Sequence, residues 1–134
     1  MTRVAVAIIT NKQRQVLIAR RPAGKVMEGC WEFPGGKVEI GETPEECLVR
    51  ELKEEMDLTV KAGRFIAEIS YAYDWGHVQL LAFEAHIVEG EPRLLEHDAM
   101  AWVGLEEMGA YGMTPADEPL IEDLLRWVRR HDVF

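Results

Sequence analysis

The chain has little cysteine, no long apolar run and a shortage of basic residues, and each absence removes a class of function. Only two cysteines occur, Cys30 and Cys47, with no C-x-x-C pair and no histidine partner pattern. Neither a disulfide framework nor a structural zinc site is therefore expected, and a reducing cytosol is the expected setting. No apolar stretch approaches the roughly 18 residues of a membrane helix. The early VAVAII is too short for a secretory leader, and its β-branched content suits a strand, so neither export nor a membrane partner is expected. Fifteen Lys and Arg face twenty-four Asp and Glu, a net charge of −9. That balance argues against a grip on polymeric nucleic acid, while a small anionic ligand stays compatible if a cation or local cluster reverses the field where it binds.

Internal repeats, low-complexity tracts and linkers are also lacking. What is present is 134 residues with 48% hydrophobic and 29% charged side chains, which predicts one globular domain over residues 1–134. Nothing in the sequence sets an oligomeric state.

Two apolar runs, Val4 to Ile9 and Val16 to Ala19, flank a polar stretch and read as antiparallel strands joined by a turn. Residues 22–41 are broken by Gly and Pro into a long loop that Trp31 and Phe33 should pack down. Thr43-Pro44-Glu45-Glu46 combines an N-cap, a proline at the first helical position and a capping-box Glu, predicting a helix from Pro44 to about Met56. Arg64–Tyr73 and His77–Val88 read as a hairpin, Ala99–Val103 as a strand, and Pro119 to about Arg130 as a closing helix.

On the first helix, Leu48, Val49, Leu52 and Met56 form an apolar stripe, with Glu51, Glu54 and Glu55 beside it. Like charges at helical neighbour spacing repel by a few tenths of a kcal/mol per pair, so facing basic side chains or a bound cation must offset them. A solvated acidic face is the plain alternative. Three carboxylates at i, i+3 and i+4 suit a hard divalent cation, and Pro34-Gly35-Gly36 can bring a backbone carbonyl beside them.

The full spacing is Gly36, five residues, Glu42, seven residues, then Arg50-Glu51-Leu52-Lys53-Glu54-Glu55-Met56-Asp57-Leu58. It resembles the Nudix box over 23 residues, departing only at Asp57, where the family has glycine. Asp tolerates a left-handed backbone better than most residues, so a small stability cost is expected there. The resemblance implies an α/β/α sandwich (an α+β fold with a mixed, mostly antiparallel sheet). It also implies Mg²⁺, or Mn²⁺, held against a diphosphate. Carried over residue by residue, Glu54 and Glu55 are metal ligands, Glu51 a ligand or the base, Arg50 its orienting partner, Glu42 a secondary ligand or base, and the Gly35 carbonyl completes the shell.

Beyond the box, the segment Trp31 to Lys37 is similar to that of the MutT-like branch. In that branch, Glu96 corresponds to a further catalytic, metal-binding glutamate, Arg21 to a phosphate contact, Phe33 to a base contact and Asp117 to the base-reading position. Read as residues alone, Glu96 and His97 also fit a solvated loop, Arg21 a strand end and Phe33 a core position; Trp31 is read as core. The implied activity is hydrolysis of a nucleoside triphosphate to monophosphate and pyrophosphate, on CTP-like or oxidised purine substrates such as 8-oxo-dGTP. Hydrolysis of another nucleoside diphosphate derivative, or a silent nucleotide-binding module, are the alternatives. An ionised Asp117 accepts hydrogen bonds only, which favours the amine of cytosine over 8-oxoguanine.

Overall fold

The computed structural model describes residues 1–131. Strands β1 (Thr2–Ile9), β2 (Val16–Arg20), β3 (Trp31–Glu32) and β4 (Gly35–Lys37) precede helix α1 (Pro44–Met56). Then come β5 (Thr59–Tyr73), β6 (Gly76–Glu89), β7 (Ala99–Val103), a 3-10 helix (Leu105–Tyr111) and α2 (Asp117–His131). One sheet has the order β4-β1-β6-β5, with β1 and β6 parallel and the other pairs antiparallel. A second, antiparallel sheet has the order β3-β2-β7.

The expected antiparallel turn between the first two strands forms, but the strands do not stay paired beyond it. β1 and β2 share only the isolated bridge Thr10↔Val16 and then part into different sheets. Asn11 closes the turn itself, its carboxamide oxygen accepting from the backbone N–H of Gln13 and Gln15, and beyond it β1 pairs with β6 and β2 with β7. Within the expected long loop, β3 and β4 are short strands, each pinned to a different sheet. β5 begins five residues before the expected Arg64, past register shifts around Ala62 to Ala67 that blur its alternation.

β1 explains the layering, since successive side chains of a strand face opposite sides. Ala5, Ala7 and Ile9 pack with Leu48, Leu52 and Met56 of α1, whereas Val6 and Ile8 pack with Leu120, Ile121 and Leu124 of α2. The molecule is thus an α/β/α sandwich with a core on each side of the sheet. Ala5 and Ala7 are fully buried, and their small side chains suit the close approach of α1.

Helix α1 starts as its sequence predicts. Thr43 Oγ1 accepts from the Glu46 N–H at 3.1 Å and the Glu46 carboxylate accepts from the Thr43 N–H at 2.8 Å. It ends at Asp57, which is left-handed at φ 54° and ψ 36°. Its N–H donates to Lys53 O, and its carboxylate stands 3.0 Å from Lys53 Nζ. Among the described residues no helix is long and apolar enough to cross a membrane.

Candidate active site

Arg50 gathers the first part of the site. Its Nε donates to Glu42 at 2.7 Å, one terminal nitrogen to Glu51 at 2.9 Å and Glu54 at 3.3 Å, and the other to Glu42 at 3.0 Å and Lys37 O at 3.1 Å. All five guanidinium N–H groups are engaged. The repulsion among the α1 carboxylates is therefore offset, for Glu51 and Glu54, by a facing basic side chain. These bonds from Arg50 hold the Glu42 carboxyl down to about 2. The same bond to Glu42 pushes the Arg50 guanidinium further above its ordinary range.

Among the described residues, no basic side chain is bonded to Glu55. It is buried, 6% exposed, and accepts the Gly35 N–H at 3.3 Å. Burial, reinforced by the charges of Glu51, Glu32 and Glu96, pushes its carboxyl up to about 9. Burial also raises Glu51, against the pull of Arg50. A backbone N–H bond from Leu95 to Glu55 O and another from Arg93 to Met56 O fasten the Glu96 loop beside the end of α1. Glu51, Glu55 and the exposed Glu96 all line one cavity, whereas Glu42 and Glu54 are held on Arg50 outside its wall.

The glycines are steric necessities. A Cβ on Gly35 would fall 2.0 Å from Ala5 O, and one on Gly36 would fall 2.3 Å from Glu51 Cδ. Gly36 therefore vacates the space that the Glu51 carboxylate fills. Cys47 packs behind it, its thiol directed at Gly36 O and Lys37 O, each at 3.3 Å, with burial pushing it up to about 12. It is structural, as its place on the helix suggests.

As placed, no three Asp, Glu, His or Cys side chains among the described residues form a group ready to hold a metal ion, because Arg50 draws Glu51 and Glu54 to itself. The donor set nonetheless fits a hard divalent cation. It consists of oxygen alone, it includes the buried Glu55 carboxyl, and Gly36 makes the room in which the Glu51 carboxylate sits.

The cavity, about 800 Å³, has a second, apolar end, where Val4, Val6, Phe33, Tyr73, Trp75 and Val78 form the wall. Phe33 is 2% exposed and so belongs both to the core and to this wall. Asp117 lies at the same end, 3% exposed, accepting the Phe33 N–H at 3.2 Å. It reaches that place because the Trp31 N–H donates to Gly112 O and the Thr114 N–H to Trp31 O, which lays residues 112–117 against β3. Burial, with the charge of Glu32 behind it, pushes the Asp117 carboxyl up to about 7.

Arg21 lines the cavity with its guanidinium bonded to Glu32 at 2.9 Å and to Val26 O. Glu32 also binds His97 Nε2 at 2.9 Å. His97 is therefore buried rather than solvated, and its Nδ1 has no partner among the described residues. Trp31 packs against the core, as expected, with its ring edge-on to Tyr111. Sequence reasoning passed over Glu32, Tyr73 and Trp75. A carboxylate between the packing aromatics Trp31 and Phe33 is a signal for Glu32; a tryptophan in a tight turn is one for Trp75.

Comparison with known proteins agrees with this geometry. The model of the NUDIX domain matches residues 1–124. The 8-oxo-dGTP diphosphatase of Escherichia coli strain K12 is 38% identical over 123 residues, 92% of this chain and 95% of that protein. The CTP pyrophosphohydrolase of the same strain is 37% identical over 117 residues, 87% of each. The crystal structure of a MutT protein from Methanosarcina mazei Go1 superposes with a TM-score of 0.84 at 25% identity, covering 98% of this chain and 96% of that one. A glycine that makes room for a carboxylate, an arginine that binds that carboxylate and two others of one acidic motif, and a match along nearly the whole chain lead to one assignment: the chain belongs to the Nudix family and is a MutT-like Nudix hydrolase.

Proposed function

We propose that the protein hydrolyses a nucleoside triphosphate to the monophosphate and pyrophosphate with Mg²⁺ or Mn²⁺, on a cytidine or oxidised purine nucleotide. The observation that carries this reading is the two-ended cavity, acidic at Glu51, Glu55 and Glu96 and walled at the other end by Phe33, Tyr73 and Trp75 about the polar group of Asp117. A base fits the second end, and a triphosphate directed at the first needs cations between it and the carboxylates.

Glu51, Glu55, Glu96 and the Gly35 carbonyl, at the cavity, are the residues that would hold the cation, and Glu54 would join them on leaving its bond to Arg50. Such an ion neutralises phosphate charge and makes water a better nucleophile. Water attacks phosphorus, a phosphoanhydride bond breaks, and pyrophosphate leaves. Glu51 is positioned to take the proton of that water, since burial raises its affinity for a proton while Arg50 fixes its orientation. Glu96 is the second acceptor facing the same space. Glu42, held ionised on Arg50, serves as a positioning residue in this reading and not as a ligand. Arg21, already at the wall, contacts phosphate after exchanging part of its bond to Glu32. Asp117 contacts the base edge.

The test is pyrophosphate release from a panel of normal and oxidised nucleoside triphosphates, with dinucleotides and nucleotide sugars alongside, in Mg²⁺ and in chelator. Release confined to triphosphates and abolished by chelator is expected. Preferential cleavage of the dinucleotides or sugars would replace this reading with the broader one.

A further inference from the structure

Trp75 is an unusual residue for its place in the fold. β5 and β6 pair through Tyr73↔Gly76, so Asp74 and Trp75 alone form the turn, a place that small polar residues usually fill. The indole is 60% exposed and forms part of the cavity's rim. One ring face lies on Tyr73, with centroids 5.1 Å apart and planes 9° from parallel. Tyr73 is in turn fixed twice, by Tyr71 at 4.7 Å and by its hydroxyl, which accepts the Ala116 N–H at 3.1 Å. The ladder is thereby tied to the residue preceding Asp117.

We propose that Trp75 is a specificity-independent stacking platform for the nucleobase, a substrate-binding residue that supplies affinity while Asp117 supplies discrimination. The proposal rests on the nucleotide reading above. A flat face, backed by a second ring and anchored beside the polar group of the apolar end, matches what a base needs. Stacking is tolerant of base identity, because every base presents a π-face. The platform is also distant in sequence from the acidic motif, so its loss should act on binding and not on the chemical step.

The test compares wild type, Trp75→Ala and Trp75→Phe on CTP, 8-oxo-dGTP and ribose 5-triphosphate, which keeps the phosphates and lacks a base. The expected result is a rise in KM of about tenfold for both nucleotides in W75A, with kcat within twofold and the base-less substrate unaffected. W75F should recover most of the loss. Equal losses on ribose 5-triphosphate, or no change on the nucleotides, would overturn the proposal. Should the wild type cleave no triphosphate, the substrate reading falls separately. Equilibrium binding of CMP and 8-oxo-dGMP then decides the platform: weaker binding by W75A supports it, and equal or absent binding overturns it.

Discussion

Gly36 and Glu51 share one space: a methyl group on the first would stand 2.3 Å from the carboxyl carbon of the second. Neither can change without the other. Gly36→Ala should displace the Glu51 carboxylate by about an ångström or more and lower kcat about 100-fold, while α1 and the sheet stay folded. Turnover and a thermal melt measured together check this. Retained turnover would show that Glu51 can act from another rotamer.

Glu55→Gln tests the uncompensated carboxyl. Its pKa is raised from 4.5 to about 9, so its favourable contribution to stability is complete below about 4.5 and is lost as pH rises through 9. In chelator the variant should therefore gain on the wild type steadily across that window. Added Mg²⁺ should raise the melting temperature of the wild type at pH 8 and leave the variant nearly unmoved. Equal Mg²⁺ responses would remove Glu55 from the ligand set.

Asp117→Asn tests base reading. The carboxyl shifts from 3.8 to about 7, so near neutral pH it is present in both forms, and the acceptor-only argument from sequence holds only above that point. The ratio of kcat/KM for CTP over 8-oxo-dGTP should rise with pH through about 7 in the wild type and be flat in the variant. The variant should also gain relative stability between about pH 4 and 7, because the wild type loses stability as Asp117 ionises. A pH-independent ratio in the wild type would detach Asp117 from the base.

Asp57→Gly should stabilise by less than about 1 kcal/mol. Relief of the left-handed backbone, worth up to roughly 1–2 kcal/mol for an ordinary residue, is partly offset by the exposed pair with Lys53 and by glycine's greater unfolded-state freedom. Urea unfolding of the two proteins measures it. Clear destabilisation would mean that the Lys53 and Arg93 contacts outweigh the strain.

Local chemistry made much of this legible. Thr43, Pro44 and Glu46 carry their own instructions for starting α1, and Asp57 stops it where the sequence indicates. The spacing that links Gly36, Arg50 and Glu51 brought three contacting residues into view before any contact was known. Pairings between distant segments were not legible. The polar turn after Ile9 looks alike whether it joins one sheet or two, and the distant partners β6 and β7 decide it. Arg50 was read as an orienting group for Glu51, yet its hold on Glu42 and Glu54 depends on where the loop before α1 returns. His97 was invisible as a buried residue because its partner, Glu32, lies 65 positions earlier.

The sheet β4-β1-β6-β5 carries both ends of the cavity, from its two opposite edges. The acidic end is carried by β4, α1 and the Glu96 loop, and the apolar end by the β5–β6 turn and the start of α2. Phe33 through Gly36 is the short hinge of sequence common to both. Transplanting the Asp74–Trp75 turn together with residues 112–117 from a relative of different appetite should thus retune which base is admitted while the hydrolytic apparatus is inherited unchanged.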